Sequence, residues 1–292
     1  MKPASFRYVA ASDVHEAVTL LSAHGDAAKL LAGGQSLVPM MNLRLSRPEI
    51  LIDLNRISGA DGITVEDGAL RVGMLARQRA AERADVVRTR LPLLGEAISR
   101  IGHTQIRSRG TLVGSCCHAD PSAEIPCVLL ALDGFVRAQG PDGMRDIPAA
   151  DFFLGYFQTA LSPKEVATDL FFPLPAAGTG WAFLEFARRH GDFAIVAVSA
   201  LLRLSASGEI ERAALSLSGV GPAPLRARRA EALLLEKRPD GALFAQAARE
   251  ASQEIEPADD VQASAGYRRQ LAQTLVGRAL QEALARAAKE VA

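Results

Sequence analysis

The stretch Leu30-Leu31-Ala32-Gly33-Gly34-Gln35-Ser36 decides the reading of this chain. An apolar run gives way to two glycines and a hydroxyl. Further along, Gly110-Thr111-Leu112-Val113-Gly114-Ser115 repeats the pattern. Glycine leaves no Cβ in the way, so two such turns, if they converge, present backbone N–H groups to an anion. A pyrophosphate held between two loops is the economical explanation, and it predicts a dinucleotide-binding protein. Alone, A-G-G-x-S is not diagnostic. Glycines at a strand-to-loop turn often only shape the chain, and this pattern is neither G-x-G-x-x-G nor the lysine-containing phosphate loop.

A chain of 292 residues accommodates one large or two medium domains. Its 33 basic and 33 acidic residues cancel, so there is no basic excess of the kind a nucleic-acid binder shows, and no nucleic-acid partner is expected. A cradle of amides tolerates this balance, since it holds phosphates without a large positive charge. The start, Met1-Lys2-Pro3-Ala4-Ser5-Phe6, lacks the apolar core of a signal peptide, and no apolar run reaches membrane-spanning length. A cytoplasmic protein without an integral membrane segment is expected. Cys116, Cys117 and Cys127 form neither C-x-x-C nor a zinc spacing with histidine. They read as small core residues of a reducing compartment. His103 and His118 read as loop or pocket hydrogen-bonders, and no metal site is predicted.

Along the chain, Asp13 is a plausible N-cap for a helix through His24 that Gly25 ends. Residues 29–32 and 50–54 read as buried strands. Ile63 to Glu66 and Ala69 to Gly73 flank Asp67-Gly68, a strong hairpin signal. Helices are expected at 92–101 and 124–132, with strands at 134–139 and 167–174. Pro173 to Gly180 reads as an inter-domain linker, since Pro and Gly stop both helix and ladder. Three strands (181–186, 194–204, 210–218) and three helices (224–235, 240–253, 264–288) are expected beyond it. Arg226, Arg228 and Arg229 read as a solvated helix face, with partner docking as the alternative.

Asp120-Pro121-Ser122-Ala123-Glu124 places a carboxylate at the opening of a helix, free to accept hydrogen bonds from a ribose or adenine or to act as a helix charge only. With this motif, the chain resembles the FAD-binding medium subunits of molybdenum hydroxylases, the flavoproteins of the carbon monoxide, nicotine, caffeine and xanthine dehydrogenases. The resemblance runs from Phe6-Arg7-Tyr8 through Ala32 to Pro39, Ile52-Asp53-Leu54, Gly73-Met74-Leu75, Arg107 to Thr111 and His118 to Glu124. It continues at Arg188-Arg189-His190-Gly191-Asp192-Phe193-Ala194 and Gly219-Val220-Gly221-Pro222.

The resemblance implies an α+β chain: a PCMH-like FAD-binding N-terminal domain of two subdomains (1–175) and a smaller C-terminal domain (181–288) of three-stranded antiparallel sheet and helices. It implies FAD as the cofactor. Leu31, Ala32, Gly33, Gly34, Gln35, Ser36 and Leu37 in the first loop, and Thr111, Gly114 and Ser115 in the second, would hold the pyrophosphate and ribityl chain. Asp120 and Glu124 would lie near the ribityl–adenosine end, and Asp192 and Phe193 near the flavin ring. Ile101, Gly102, Cys117 and Val166 complete the implied site, which holds no catalytic acid, base or nucleophile. The implied partners are a molybdenum-cofactor large subunit and an iron–sulfur small subunit, in a dimer of heterotrimers. One departure stands out: the family has two consecutive glycines in the second loop, and Val113 fills the first place. A β-branched residue resists positive φ, so a shifted backbone and weaker flavin binding are expected there. Two other readings remain: a free-standing FAD oxidoreductase using Asp192 and His190, and a flavin-free scaffold that keeps the fold.

Overall fold

In the computed structural model, which describes residues 1–291, the chain opens with a small parallel sheet. β1 (Arg7–Ala10), α1 (Val14–His24), β2 (Ala28–Leu31), α2 (Leu37–Asn42) and β3 (Ile50–Asp53) follow in order. β3 lies between β1 and β2, and both pairings are parallel. The two helices make the crossovers that parallel strands require. The caps of α1 are those its sequence predicts: the Asp13 carboxylate accepts from the Glu16 N–H at 2.8 Å, and Gly25 closes the helix at φ 50°. β2 runs directly into Gly33-Gly34. The first glycine loop therefore stands at the carboxyl edge of a parallel sheet, where open α/β sheets bind ligands.

A second unit begins with β4 (Ile63–Glu66) and β5 (Ala69–Gly73), joined at Asp67 and Gly68, both with positive φ. Six helices follow: α3 (Gln78–Arg83), α4 (Asp85–Arg90), α5 (Pro92–Arg100), α6 (Thr104–Arg109), α7 (Leu112–His118) and α8 (Glu124–Ala131). Then come β6 (Phe135–Gly140), β7 (Gly143–Pro148), α9 (Ala149–Phe152), β8 (Phe153–Gly155), β9 (Gln158–Thr159) and β10 (Val166–Pro173). The sheet runs β4-β5-β10-β6-β7, with the buried β10 at its centre. β7 has no counterpart among the expected strands: five of its six residues, all but Ile147, are exposed, so no apolar alternation marks it.

The last unit comprises β11 (Gly180–Phe186), β12 (Val196–Leu204), β13 (Ile210–Ser218), β14 (Leu225–Arg226), α10 (Arg228–Leu234), α11 (Gly241–Glu254) and α12 (Ala265–Val291). Its antiparallel sheet has a short fourth strand, β14, beside the three expected. The expected helix at 224 consequently starts at Arg228. Register sorts this sheet into two faces. Phe183, Ala197, Leu201 and Ala214 join the core of the preceding units. Ala182, Val198, Ala200, Leu202, Leu215 and Leu217 pack with residues of α10, α11 and α12. Covered on both sides, the strands are nearly continuous apolar runs, as buried sheets are.

Of the arginines after β13, Arg228 and Arg229 lie exposed on α10 as the solvated-face reading expects, whereas Arg226 does not. Arg226 is 7% exposed; it donates to Leu130 O at 2.9 Å, pairs with Asp133 at 2.8 Å and also meets Glu231. Arg228 shares both carboxylates, and Arg229 pairs with Glu250. Arg226 ties the last unit to the end of α8 through Leu130 O and Asp133, and its desolvated pair with Glu231 is costly to break.

β11 and α12 approach closely enough that Gly180 has no room for a side chain. A Cβ there would lie 1.8 Å from Ala283 O and 2.4 Å from Ala287 N. Gly180→Ala is therefore expected to destabilise the chain by about 3 kcal/mol, read as a lower denaturant midpoint at unchanged m-value.

Candidate functional site

The two glycine stretches converge. A Cβ on Gly33 would lie 2.4 Å from the carbonyl oxygen of Arg109 and 2.8 Å from the Cα of Gly110, so the two backbones touch and only glycine fits. Gly34 takes φ 71°, a left-handed conformation that glycine adopts without strain. Side chains bind the junction. Asn55 Nδ2 donates to Ala32 O at 2.9 Å, while Arg77 donates to Asn55 Oδ1 at 2.5 Å and to Arg109 O at 2.7 Å. Asp53 accepts from the Asn55 amide N–H at 2.9 Å and from the Tyr8 hydroxyl at 2.5 Å. Burial works to raise the Asp53 pKa, but the hydrogen bonds from Tyr8 and Asn55 outweigh it and hold the carboxyl below its usual range. Nothing in the local sequence marks Asn55 or Arg77; they meet the loops only through the tertiary fold.

Among the described residues, the amides of Gly33, Gly34, Gln35, Ser36 and Leu37 donate to no other group of the chain. Ser36 precedes α2 without a side-chain capping bond. A run of unpaired N–H groups on a glycine turn leading into a helix suits a phosphate. Burial, and then the charge of Arg109, pull the Arg77 pKa below its usual value, and an anion beside these two guanidiniums would relieve their repulsion.

The second stretch is a helix start, not a turn. Thr111 is the N-cap of α7, and its hydroxyl accepts from the Gly114 N–H at 3.1 Å. Leu112, Val113, Gly114 and Ser115 are helical. Val113 is buried in the core and its φ is not positive, so the expected backbone shift does not occur. The glycine that matters is Gly114, where a Cβ would stand 2.6 Å from Thr111 Oγ1.

Other expected residues gather in neighbouring pairs. Buried Arg107 donates to Ile101 O at 2.8 Å and Gly102 O at 3.3 Å and pairs with Glu82, which pins that loop. The ring of His103 lies against Gly191, where a Cβ would meet its Cε1 at 2.6 Å, and stacks with His190 at 5.8 Å. The segment carrying Asp192 and Phe193 therefore rests on the Ile101–Gly102 loop. Phe193 is 62% exposed.

The Asp120 loop is tied to β13. Gly219 N–H donates to Pro121 O at 2.8 Å, and the Ser218 hydroxyl to Ala123 O at 3.0 Å. Asp120 accepts from Ser122 N–H. Glu124 begins α8 and is only 4% exposed. Burial, then the charge of Glu185, pushes its pKa up to about 8. Glu185 is pushed up to about 7, also by burial. Leu31, Leu37 and Ser115 flank the cradle half-buried, whereas Val166 lies wholly in the core. Burial raises the thiols of Cys117 and Cys127 to about 12 and about 11, which leaves them inert.

Amides for phosphates, a buried carboxyl for hydroxyls and an exposed aromatic are the donor set a flavin dinucleotide needs. Residues 4–175 match the family described as the FAD binding domain in molybdopterin dehydrogenase. Residues 181–283 match the CO dehydrogenase flavoprotein C-terminal domain. The chain belongs to this family of FAD-binding oxidoreductase subunits, and its cofactor is FAD. It is 42% identical to the 6-hydroxypseudooxynicotine dehydrogenase complex subunit alpha of Paenarthrobacter nicotinovorans, over 98% of this chain and 97% of that protein. It is 38% identical to the carbon monoxide dehydrogenase medium chain of Hydrogenophaga pseudoflava, over 99% and 100%. A solved carbon monoxide dehydrogenase of H. pseudoflava, lacking the Mo-pyranopterin moiety, superimposes with a TM-score of 0.96 at 40% identity, over 98% and 99%.

Two outcomes follow from this geometry. Val113→Gly removes a buried side chain and adds helix-interior glycine, so it should cost about 3 kcal/mol without tightening FAD binding, read by thermal unfolding and flavin titration. Glu124 and Glu185 have folded pKa values above the ordinary glutamate value of 4.5. Their favourable contribution is present below about pH 4.5 and is lost as pH rises through 7 to 8. The ligand-free chain should therefore melt lower at about pH 8.5 than at about pH 5.5, and Glu124→Gln should flatten that slope.

Proposed function

We propose that this chain is the electron-transfer subunit of a molybdenum hydroxylase. In this reading it assembles with a molybdenum-cofactor large subunit and an iron–sulfur small subunit as a dimer of heterotrimers. Electrons released by hydroxylation on the large subunit reach it through the small subunit's clusters and leave for a terminal acceptor. The observation that carries the reading is the backbone contact of Gly33 with Arg109 and Gly110, beside the row of unpaired amides. Bound FAD would supply the ability to accept electrons singly and release them in pairs.

The residues of the chain have binding and positioning work only. Amides from Gly33 to Leu37, with the Thr111 end of α7, would hold the phosphates, and Gly114 and Ser115 would line the path beside them. Glu124 would accept hydroxyl hydrogens and Asp120 would shape the loop before it. Ile101, Gly102, Asp192 and Phe193 would border the ring, leaving one edge open. The relatives named as medium chains and as a complex subunit support the assembly. No helix of the described residues is long and apolar enough to cross a membrane. The helical backbone at Val113 removes the motif feature that favoured a flavin-free scaffold.

The visible spectrum of the purified chain, alone and co-expressed with its two partner subunits, tests this reading. About one FAD per chain is expected. Gly33→Ala places a Cβ 2.4 Å from a backbone carbonyl, and it should weaken FAD retention by about tenfold or more, the equivalent of ~1.4 kcal/mol. Full flavin content in that variant would refute the two-loop cradle.

A further inference from the structure

The two glycine loops meet against a third piece of chain, the segment between β5 and α3. Met74, Leu75 and Ala76 leave β5 buried, and the amides of Met74 and Leu75 donate to Thr168 O and Ala60 O, each at 2.8 Å. A segment fixed in this way is a rigid mount. It delivers Arg77 and Gln78 to the second loop: Arg77 pairs with Thr111 in an isolated antiparallel bridge, and the Gln78 N–H donates to Gly110 O at 2.8 Å. Gly110 is bracketed as a result. A Cβ on Gly33 would lie 2.8 Å from the Cα of Gly110, and a Cβ on Gly110 itself would lie 2.6 Å from Gln78 Oε1. The mount cannot shift without moving the contact between the loops.

From this mount one guanidinium reaches both loops. Arg77 Nη1 donates to Arg109 O of the second loop at 2.7 Å, and Nη2 to Asn55 Oδ1 at 2.5 Å. The same Asn55 carboxamide donates through Nδ2 to Ala32 O, just before Gly33, at 2.9 Å. A planar fork fixes the direction and separation of two bonds at once, which a flexible ammonium does not. Neither acceptor is a carboxylate, and Arg77 forms no ion pair among the described residues. Asp53 and Asp61 attract it and Arg109 repels it, all without a bond to its guanidinium. Its charge therefore stands without a bonded counter-ion at the edge of the unpaired amides from Gly33 to Leu37.

We propose that Arg77 is the positioning residue of the diphosphate cradle, its guanidinium spanning from Arg109 O to Asn55 and so holding the two loops at one fixed separation. This inference rests on the FAD reading and deepens it. Asn55 acts through Arg77, as the arm that carries the span to the first loop. Loops held apart at a set distance present their amides without reorganising when the ligand arrives, and that saving appears as affinity. The gain belongs to the phosphates, so it is shared by any ligand that carries the same diphosphate.

Flavin-fluorescence titration of the flavin-stripped chain with FAD, and competition by ADP, test the proposal. Arg77→Ala should weaken FAD about tenfold or more, and ADP by a matching factor. Arg77→Lys keeps the charge and should remain within about threefold of the Ala variant. Adding Asn55→Ala to Arg77→Ala should cost no more than about threefold beyond Arg77→Ala alone. Methylguanidinium at about 50 mM should restore most of the affinity of Arg77→Ala, and methylammonium should not. Wild-type affinity in Arg77→Ala or Arg77→Lys overturns the proposal, as do additive losses in the double variant. A loss that methylguanidinium leaves unrepaired marks a general fold defect and overturns it too. If Arg77→Ala fails to fold, Arg77→Lys decides alone. A wild-type chain that takes up no FAD, even with its partner subunits, overturns the functional reading and this inference together; variants that match a flavin-binding wild type overturn this inference only.

Discussion

The missing Cβ of Gly33 is the constraint on which the rest of the site depends. It lets the loop after β2 lie directly on the backbone that enters α7, with the nearest atoms closer than any side chain would permit. Each loop alone is a common piece of chain. Touching, they turn one row of amides and one helix start toward a shared space. The contact does not hold itself, because two backbones meeting without a ladder gain little. Arg77 and Asn55 supply what is missing by bonding a carbonyl of each loop, Arg109 O and Ala32 O. The ionised Asp53 fixes Asn55 in turn. The parallel sheet thus reaches the site through the end of β3, which is where its strands deliver their carboxyl edges.

The last sheet plays a comparable part for the other half of the molecule. Its strands are covered by α8 on one face and by α11 and α12 on the other, so it cannot move relative to either without exposing core. That sandwich explains why the loops at its ends are so firmly tied. Arg268, reaching from α12, donates to Ile195 O at 2.5 Å and Gly219 O at 3.0 Å. Gly219, at φ 74°, sits where a Cβ would strike Ile195 O at 2.3 Å. The run Gly219 to Pro222 and the segment before Ala194 are therefore one junction, buttressed from behind, that presents the Asp120 loop on its front.

Much of this was legible in the sequence where local and tertiary demands agree. Asp13 and Gly25 bound α1 because capping is local chemistry, and Asp67-Gly68 dictates its hairpin for the same reason. The three long strands of the last sheet announce themselves by nearly continuous apolar runs. Legibility fails where the fold overrides the segment. The helices α3, α4, α6 and α7 span six or seven residues each, too short to show a period or to stand alone. β1 is four residues that pair only through β3. Gly110 to Ser115 has turn composition, yet Thr111 uses its hydroxyl to start a helix, and Val113 is packed as an ordinary core residue. For the loop junction, the two glycines could be read from type and position. Asn55 and Arg77 could not, since what matters about each is a neighbour distant in sequence.

Charge explains how a chain of zero net charge can hold a ligand that carries two phosphates. Several of its arginines are already spent on structure: Arg107 on Glu82 and the Ile101 loop, Arg226 on Asp133 and Glu231, Arg268 on Asp260 and two carbonyls. These pairs are local and contribute no net field at the cradle. What is left there is the fixed polarity of amides, with Arg77 and Arg109 crowded near the junction so that each disfavours the other's charge. Amide dipoles add no counter-ion and need no reorganisation, so the phosphates can be held by geometry more than by opposite charge. An anchor of fixed amides beside two guanidiniums needs no mobile partner to hold an anion, which suits a cofactor whose ring changes charge during turnover while its anchor must not move.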